Sequence, residues 1–314
     1  MKLTLNSDIS KHISGPTLIA GWHGMGNVGL GGISYIRQKL DAEPFGTIDT
    51  SEYVTPDSVV VKDGLVDFPE SPPNTFYYSR NENLVFFESA TQIQGTEGVM
   101  LMGQVLDLAQ EMEVDTIYTG AAYAMNVSHK QPSNILAVAN NEELRDFLAT
   151  RQVRILSKGQ ISGMNGLLLG FAGMRNIRAA CLMATMPHYA INLPYPKASR
   201  ALIQSLNSFL TFEIDQTEID QTVKQMEQSM EKIEDQIQMI FSEQNSDELS
   251  EEWKKIEEDK VPEYVMDKIE KLFVAVKSQR SKQGSREKAA ELKNELDRWD
   301  LYNLYEDRFL ELFR

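Results

Sequence analysis

The sequence is short of several features that mark whole classes of proteins. It contains a single cysteine, Cys181, so no disulfide can form within the chain, and the apolar residues around it predict a buried thiol. It has no apolar run of about 18 residues or more, which predicts that no helix spans a membrane. The N-terminal residues lack the long apolar stretch of a signal peptide. Together these absences predict a cytoplasmic protein.

Positive charge and metal-binding patterns are also scarce. The formal net charge is −15, and no basic cluster interrupts the acidic background, so we expect no nucleic-acid partner. The 4 histidines and the cysteine show none of the spacings that are typical of metal sites. The G-x-S-x-G motif of a nucleophilic serine does not occur either. The sequence therefore indicates neither a metal site nor a catalytic residue.

The negative charge is concentrated in the last third of the chain. Residues 211–314 include 27 acidic and 16 basic residues, whereas residues 1–210 carry a net charge of only −4. The full length of 314 residues suffices for one large α/β domain with an appendage. We predict a core domain over residues 1–212 and a helical region over residues 213–314.

The predicted core domain alternates between two kinds of apolar pattern. Short runs typical of strands occur at Leu18–Gly21, Phe45–Ile48, Leu84–Phe87, Thr116–Thr119, Ile135–Val138, Val153–Leu156 and Arg178–Ala184. Helical spacing occurs at Val28–Leu40, Val99–Met112, Asn141–Thr150 (with Asn140 as the expected cap) and Pro196–Leu210. The proline-rich stretch Asp49–Tyr78 predicts hairpins or an inserted loop. This alternation predicts an α/β fold, a mostly parallel sheet flanked by helices.

The helical region begins with a heptad pattern. Apolar residues recur at spacings of four and three along a predicted long helix over 216–242: Ile219, Val223, Met226, Met230, Ile233, Ile237 and Ile240. Such a narrow stripe must pack on another helix, either of the same chain or of a partner, and packing within the same chain is favoured. An acidic linker is predicted over about 243–261, followed by helices over 262–280 and 286–313.

A glycine-rich loop after the first predicted strand poses the main functional question. Gly24-Met-Gly26-Asn-Val-Gly29 spells G-x-G-x-x-G, and its string resembles the loop of malate-type dehydrogenases. Asp49 follows Gly29 by 20 positions, a spacing that suits a contact with the ribose of a dinucleotide. On this reading the loop binds pyrophosphate at the start of a helix.

A packing role for the same glycines is the favoured interpretation. The bulky Trp22 separates the strand from the loop, and a proline-rich region follows Asp49 where a crossover helix would be expected. No downstream pattern resembles a hydride-transfer site. Glycines at these positions let the chain turn tightly and let the next helix lie close to the sheet. We therefore predict no bound cofactor.

The order of several motifs resembles the proteasome assembly chaperone type 2 family in its prokaryotic form. The motifs are Leu18–Gly29, Gly159–Leu169, Cys181–Tyr189, Pro194–Ser199 and Ile214-Asp215. The resemblance covers residues 17–240. It implies a topology like that of nucleoside phosphorylases, a homo-oligomer that is often a trimer, no catalytic triad, and proteasome core subunits as partners.

Two candidate sites follow from these observations. Some relatives in this family carry a C-terminal hydrophobic–tyrosine–any tail that inserts between core subunits, and Leu312, Phe313 and Arg314 resemble it with phenylalanine in place of tyrosine. The alternative reading makes these residues the apolar face of a last helix. The second site is a pocket near the glycine loop lined by Gly24, Gly26, Asn27, Gly29, Ser162 and Asn165. Two functions stay open: a non-catalytic interaction or assembly protein, or a small-molecule enzyme or nucleotide-binding protein that uses this pocket.

Overall fold

The computed structural model describes residues 1–7, 13–54, 58–69, 74–151, 153–243, 269, 271–273, 275–276 and 282–298. The chain divides into two compact units, Met1–Glu234 and Asp235–Arg314. The first unit contains the whole predicted core domain and continues past residue 212 into a long helix. In the described part of the chain, no helix is both long and apolar enough to cross a membrane.

The first unit is built on a mixed sheet of nine strands. In chain order the strands of the unit are β1 (Lys2–Leu5), β2 (Thr17–Trp22), β3 (Glu43–Asp49), β4 (Val60–Lys62), β5 (Leu65–Asp67), β6 (Asn74–Ser79), β7 (Leu84–Ser89), β8 (Thr116–Met125), β9 (Ile135–Ala139), β10 (Arg154–Ile155) and β11 (Arg178–Pro187). The large sheet has the order β1-β3-β6-β7-β2-β8-β11-β9-β10, and β4 and β5 form a separate hairpin. Its four central strands, β7, β2, β8 and β11, run parallel to one another.

Helices cover both faces of this sheet. They are α1 (Val28–Lys39), α2 (Gly95–Glu111), α3 (Glu142–Ala149), α4 (Met164–Met174) and α5 (Pro196–Leu210). α2 and α4 pack in one apolar core with alternate strand residues, and α1, α3 and α5 pack in a second core on the opposite face. The predicted α/β class, a sheet flanked by helices, is confirmed.

The central strands are buried on both faces because helices lie on each side. In β2, Leu18, Ala20 and Trp22 belong to the first core, whereas Ile19 belongs to the second.

All seven predicted strands are present, and the single cysteine lies in one of them. Cys181 on β11 is fully buried, and burial raises the pKa of its thiol to about 11. The predicted buried thiol is therefore confirmed.

Several predicted element boundaries need correction. The cap of α3 is Asn141 and not Asn140, because the Asn141 side chain accepts a hydrogen bond from the amide of Leu144 at 2.8 Å. α2 begins at Gly95, four residues before the predicted start. The region Asp49–Tyr78 contains the β4–β5 hairpin, as predicted, but it also supplies most of β6 to the large sheet.

The helical region begins with α6 (Thr217–Glu243), close to the predicted helix over 216–242. Ile219 and Met230 of its heptad stripe are buried in the second core, so this part of the stripe packs within the chain, as predicted. A later helix, α7 (Lys282–Arg298), begins before the predicted start at 286. The predicted linker over about 243–261 lies outside the described residues from 244 onward, as do most of the helix over 262–280 and residues 299–314.

Candidate functional site

The glycine loop lies at the carboxyl ends of the parallel central strands, where open α/β sheets usually bind ligands. It follows β2 directly, and a short 3₁₀ turn at Met25–Asn27 leads from it into α1. β7, β8 and β11 end at the same edge of the sheet, because they run parallel to β2. The position is therefore that of a binding site, and the local contacts decide whether the loop can receive a ligand.

Three backbone amides of the loop that a phosphate could use already have partners inside the protein. Three successive N–H groups donate to carbonyl oxygens of the chain: Gly26 to Ile191 (2.8 Å), Asn27 to Gly24 (2.9 Å) and Val28 to Met25. A phosphate loop instead leaves such groups pointing at the ligand. An anion at this loop would have to compete with all three hydrogen bonds.

The space beside the middle glycine of the motif is filled. Gly26 has a φ of +61°, and a Cβ built on it would lie 2.8 Å from Cε of Met186 and 3.1 Å from Cβ of Tyr195. Its carbonyl oxygen accepts a hydrogen bond from the Tyr195 amide at 2.9 Å. Tyr195 is buried, and burial raises the pKa of its phenol, so the ring packs against the loop as a neutral group. Gly26 therefore anchors the loop to the segment before α5.

The last glycine of the motif lets α1 touch the sheet. A Cβ built on Gly29 would lie only 2.1 Å from the carbonyl oxygen of Gly120 on β8. Gly120 is equally constrained, because its own Cβ would lie 3.2 Å from Cα of Gly29 and 2.5 Å from Cδ2 of Leu202 on α5. Backbone therefore contacts backbone where the helix crosses the strand. This is the close packing that the sequence predicted.

Asn165 completes the sheet where two central strands separate. β2 and β8 are paired from Thr17 to Ala20, but Trp22 has no partner residue on β8. The Asn165 side chain takes that place: its Oδ1 accepts from the Trp22 amide at 3.1 Å, and its Nδ2 donates to the Trp22 carbonyl at 3.4 Å. The hydroxyl of Thr119 on β8 donates to the Asn165 carbonyl at 2.7 Å. The side-chain amide of Asn165 thus makes the two hydrogen bonds with the Trp22 backbone that a neighbouring strand would otherwise make.

A second amide side chain joins the loops around this point. Nε2 of Gln92 donates to the His23 carbonyl at 2.6 Å, and its Oε1 accepts from the Met164 amide at 3.0 Å. Ser162, which lies two residues before the first residue of α4, Met164, has an exposed side chain. Of the predicted pocket residues, the structure therefore brings Asn165 to the end of β2, beside the loop, and leaves Ser162 at the surface. Sequence reasoning missed Gln92, which lies about 70 residues from both of its partners.

Asp49 stands far from the glycine loop. It is the last residue of β3, and β3 is separated from β2 by β6 and β7. Three strand spacings amount to about 14 Å. In dinucleotide-binding folds the strand that follows the first helix lies directly beside the first strand. Here the Asp49 carboxylate accepts a hydrogen bond from the Ser51 amide at 2.9 Å, which lowers its pKa. The proposed ribose contact therefore lacks its geometry.

A groove of about 1050 Å³ lies elsewhere, between the β9–β10 side of the sheet and α5. Its polar lining includes Ser133, Asn134, Arg151, Arg154 and Thr185. No motif indicated this groove, because the lining residues come from several separate segments.

Among the residues that the structure describes, no group of three or more histidine, cysteine, aspartate or glutamate side chains is placed to hold a metal ion. The predicted tail site, Leu312 to Arg314, lies outside the described residues.

Known proteins match this chain over more than two thirds of its length. Among relatives, an uncharacterized protein of Methanocaldococcus jannaschii is 25% identical over 220 residues, which cover 69% of this chain and 82% of that protein. Among solved structures, PbaB of Pyrococcus furiosus, an archaeal proteasome activator, is similar with a TM-score of 0.63 at 24% identity, over 74% of this chain and 98% of PbaB. PbaA of the same organism, an archaeal homolog of proteasome-assembly chaperone, has a TM-score of 0.61 at 17% identity, over 81% and 98%.

These likenesses agree with a direct match to one family. The solved structures share the fold of this chain at low sequence identity. The PAC2 family matches residues 18–234, which include the central strands except for Thr17, the glycine loop, Asn165 and the first part of α6. This chain therefore belongs to the PAC2 family.

Proposed function

We propose that the chain is a non-catalytic interaction or assembly protein that works in the cytoplasm as a homo-oligomer, with a trimer favoured. Its partner is a proteasome core particle or another oligomeric protein. Membership of the PAC2 family supports this, and so does the similarity to two solved structures, an archaeal proteasome activator and an archaeal homolog of proteasome-assembly chaperone. The proposal includes no cofactor and no nucleic acid.

The observation that carries the proposal is that the glycine loop makes its contacts with other parts of the same chain. Three loop amides donate to the chain's own carbonyls, and Gly29 lies in contact with Gly120 of β8. The feature that most resembles an enzyme's nucleotide loop is thus accounted for by packing. Fold alone does not set function, so the surface of the molecule has to supply it.

A small-molecule binding protein is the second candidate, and the groove beside α5 favours it. Arg151 and Arg154 line this groove together with several hydroxyl side chains, a combination that suits an anionic group. Arg151 is partly engaged, because its guanidinium lies 4.7 Å from the centre of the Phe147 ring. On this reading the ligand binds in the groove and not at the glycine loop.

The tail residues provide the direct test of a proteasome partner. We propose that Leu312 and Phe313 contact the core particle, as the tail of some family members does. Replacing both by alanine is expected to weaken binding to proteasome core particles from the same organism at least tenfold, because two apolar anchors are lost. Phe313→Tyr, which introduces the tyrosine that some relatives carry at this position, is expected to bind at least as well as the unmodified chain. Surface plasmon resonance with immobilised core particles measures both effects.

The control for this experiment is a substitution of an exposed charge on the described surface. Lys288→Ala removes the ion pair with Glu291 on α7, which is 2.6 Å long and solvent-exposed, and such pairs contribute little to stability. Its binding should equal that of the unmodified chain. Equal binding by the alanine double variant would reject the tail as a contact. Failure of the unmodified chain to bind core particles at all would reject the proteasome as its partner.

A further inference from the structure

The groove beside α5 lies at the edge of the sheet where α/β folds usually bind small molecules. Tyr123 and Met125 line it from the last residues of β8, and Thr185 lines it from near the end of β11. β8 and β11 run parallel, so both strands present their carboxyl ends at this place. The other lining residues come from α5, the start of β9 and the described residues between 150 and 157. The volume of about 1050 Å³ is ample for a small ligand.

The lining of this groove carries no negative charge, although the chain as a whole is strongly acidic. None of the described residues that line it is aspartate or glutamate, whereas the chain has 46 acidic residues among 314. The charged residues of the described lining are Arg151 and Arg154. Charges of one sign that line a cleft concentrate their field inside it. The groove is therefore a positively charged site on a protein whose net charge is −15.

Neither of these two arginines is paired with a carboxylate in the described part of the chain. Other arginines there do form such ion pairs: Arg37, Arg145, Arg175, Arg178 and Arg200. Arg151 lies over the Phe147 ring, at 4.7 Å from the ring centre. A guanidinium that stacks on a ring keeps its N–H groups in its own plane, so they point away from the ring. Both arginines can therefore donate hydrogen bonds to an anion in the groove.

Stabilisation of the neighbouring helix explains only one of the two arginines. α3 ends at Ala149, and a cation near the end of a helix interacts favourably with the helix dipole over the last turn. Arg151 lies two residues beyond that end and can act in this way. Arg154 lies five residues beyond it, on β10, where its backbone is aligned with Leu136 of β9. The position of Arg154 is therefore better explained by the groove than by α3.

Uncharged polar side chains line the groove beside the arginines. The side chains of Ser157, Gln204 and Ser205 make no hydrogen bond with another described residue. Hydroxyl and amide groups both donate and accept hydrogen bonds, which suits the hydroxyls of a sugar or polyol. Tyr123 is the single aromatic residue of the described lining, and its side chain packs against the first core. A nucleobase would therefore find no free ring on which to stack.

We propose that the groove beside α5 binds a phosphorylated sugar or polyol. Arg151 and Arg154 hold the phosphate through charge-assisted hydrogen bonds, which a guanidinium forms with two phosphate oxygens at once. Ser157, Gln204 and Ser205 contact the hydroxyls of the ligand. This rests on the second candidate function and names the chemical class of its ligand. All of the lining residues belong to the first unit, so the site does not involve the tail residues.

Isothermal titration calorimetry with the unmodified chain tests the class of ligand. The probes are glucose 6-phosphate, fructose 1,6-bisphosphate, glucose and inorganic phosphate. We expect the two phosphorylated sugars to bind with dissociation constants of about 1 mM or less. Glucose lacks the phosphate, and inorganic phosphate lacks the sugar hydroxyls, so each should bind more weakly by a factor of about ten or more.

Three variants locate the binding in the groove. Arg151→Gln with Arg154→Gln removes both charges and should raise the dissociation constant for glucose 6-phosphate about 100-fold. Ser205→Leu narrows the groove from α5 and leaves both arginines in place, so the affinity for the sugar phosphate should fall about tenfold and that for inorganic phosphate should not change. Arg145→Gln is the matched control, because Arg145 is paired with Asp146 at 2.8 Å and does not line the groove. Circular dichroism verifies that each variant is folded.

Three results would overturn the proposal: no binding of either phosphorylated sugar at about 10 mM, equal binding by the double arginine variant, or binding of a hexaglutamate peptide in place of the sugars. The last result would assign the groove to an acidic protein. Inorganic phosphate that binds through the arginines as tightly as the sugar phosphates would reject the polyol and leave the second candidate function standing. No binding of any probe would reject both.

Binding to proteasome core particles separates this proposal from the assembly function. The double arginine variant should bind core particles as tightly as the unmodified chain, because the tail residues are unchanged. A groove that takes no phosphorylated sugar leaves the proposed tail contact untouched. Loss of core-particle binding by the tail variant leaves the groove untouched in the same way.

Discussion

Gly29→Ala is expected to lower the free energy of unfolding by about 3 kcal/mol or more, because one methyl group would be forced into the backbone of β8. The new Cβ would lie 2.1 Å from the Gly120 carbonyl oxygen and 2.7 Å from its carbon, and neither atom belongs to a side chain that can rotate away. Alanine gains about 1 kcal/mol over glycine in a helix. The steric cost exceeds that gain, so the net effect is destabilising. Urea denaturation measures the difference.

Gly24→Ala is the matched control within the same motif. The Cβ position of Gly24 has no atom within 4 Å, and its φ of −166° is extended backbone that any residue adopts. Its free energy of unfolding should change by less than about 0.5 kcal/mol, which is the usual range for a surface substitution. Equal effects at Gly24 and Gly29 would contradict the packing account, because only Gly29 touches the sheet.

Asn165→Leu is expected to be similarly costly, at about 2–5 kcal/mol. Leucine preserves most of the volume but leaves the amide and the carbonyl of Trp22 without the partners that Asn165 provides. Each buried polar group left unsatisfied costs about 1–3 kcal/mol. The loss should appear as a fall in the melting temperature with the secondary structure retained at low temperature.

Ser162→Ala provides the comparison for Asn165. Both residues belong to the pocket predicted from the sequence, but Ser162 is exposed and Asn165 is buried. The melting temperature should change by less than about 1 °C for Ser162→Ala. If the melting temperature of Asn165→Leu equals that of the unmodified protein, the Asn165 amide is not the structural bridge between the strands. A role in binding then becomes the better explanation of this residue.

Much of the fold could be predicted because its strands and helices carry strong local patterns. The central strands are short apolar runs, and Pro196–Leu210 was predicted with both ends in place. β1 was missed because Lys2–Leu5 is an edge strand with mostly exposed side chains, so it has no apolar run. β6 was missed because it follows prolines in a region that reads as loop, although it pairs with two strands of the large sheet.

The candidate site could be predicted only in part, because its contacts depend on strand order and on residues far apart in the sequence. The spacing between Gly29 and Asp49 was correct for a dinucleotide site, but spacing does not determine strand order, and β3 lies three positions from β2. The bridge from Asn165 to Trp22 joins residues 143 positions apart. The packing role of Gly29 was predictable from its place at a strand–helix turn. Which backbone it touches depends on the tertiary structure.

Ligand-induced stabilisation of the unmodified chain tests the central claim most directly. A ligand that binds the folded state at 100 times its dissociation constant stabilises it by about 2.7 kcal/mol, which raises the melting temperature by several degrees. The account predicts a shift of less than about 1 °C with millimolar NAD, ATP or adenosine, because three loop amides donate to the chain's own carbonyls and the space beside Gly26 is filled. A shift of several degrees that Gly24→Ala abolishes would show that the loop binds a nucleotide, and it would contradict the account.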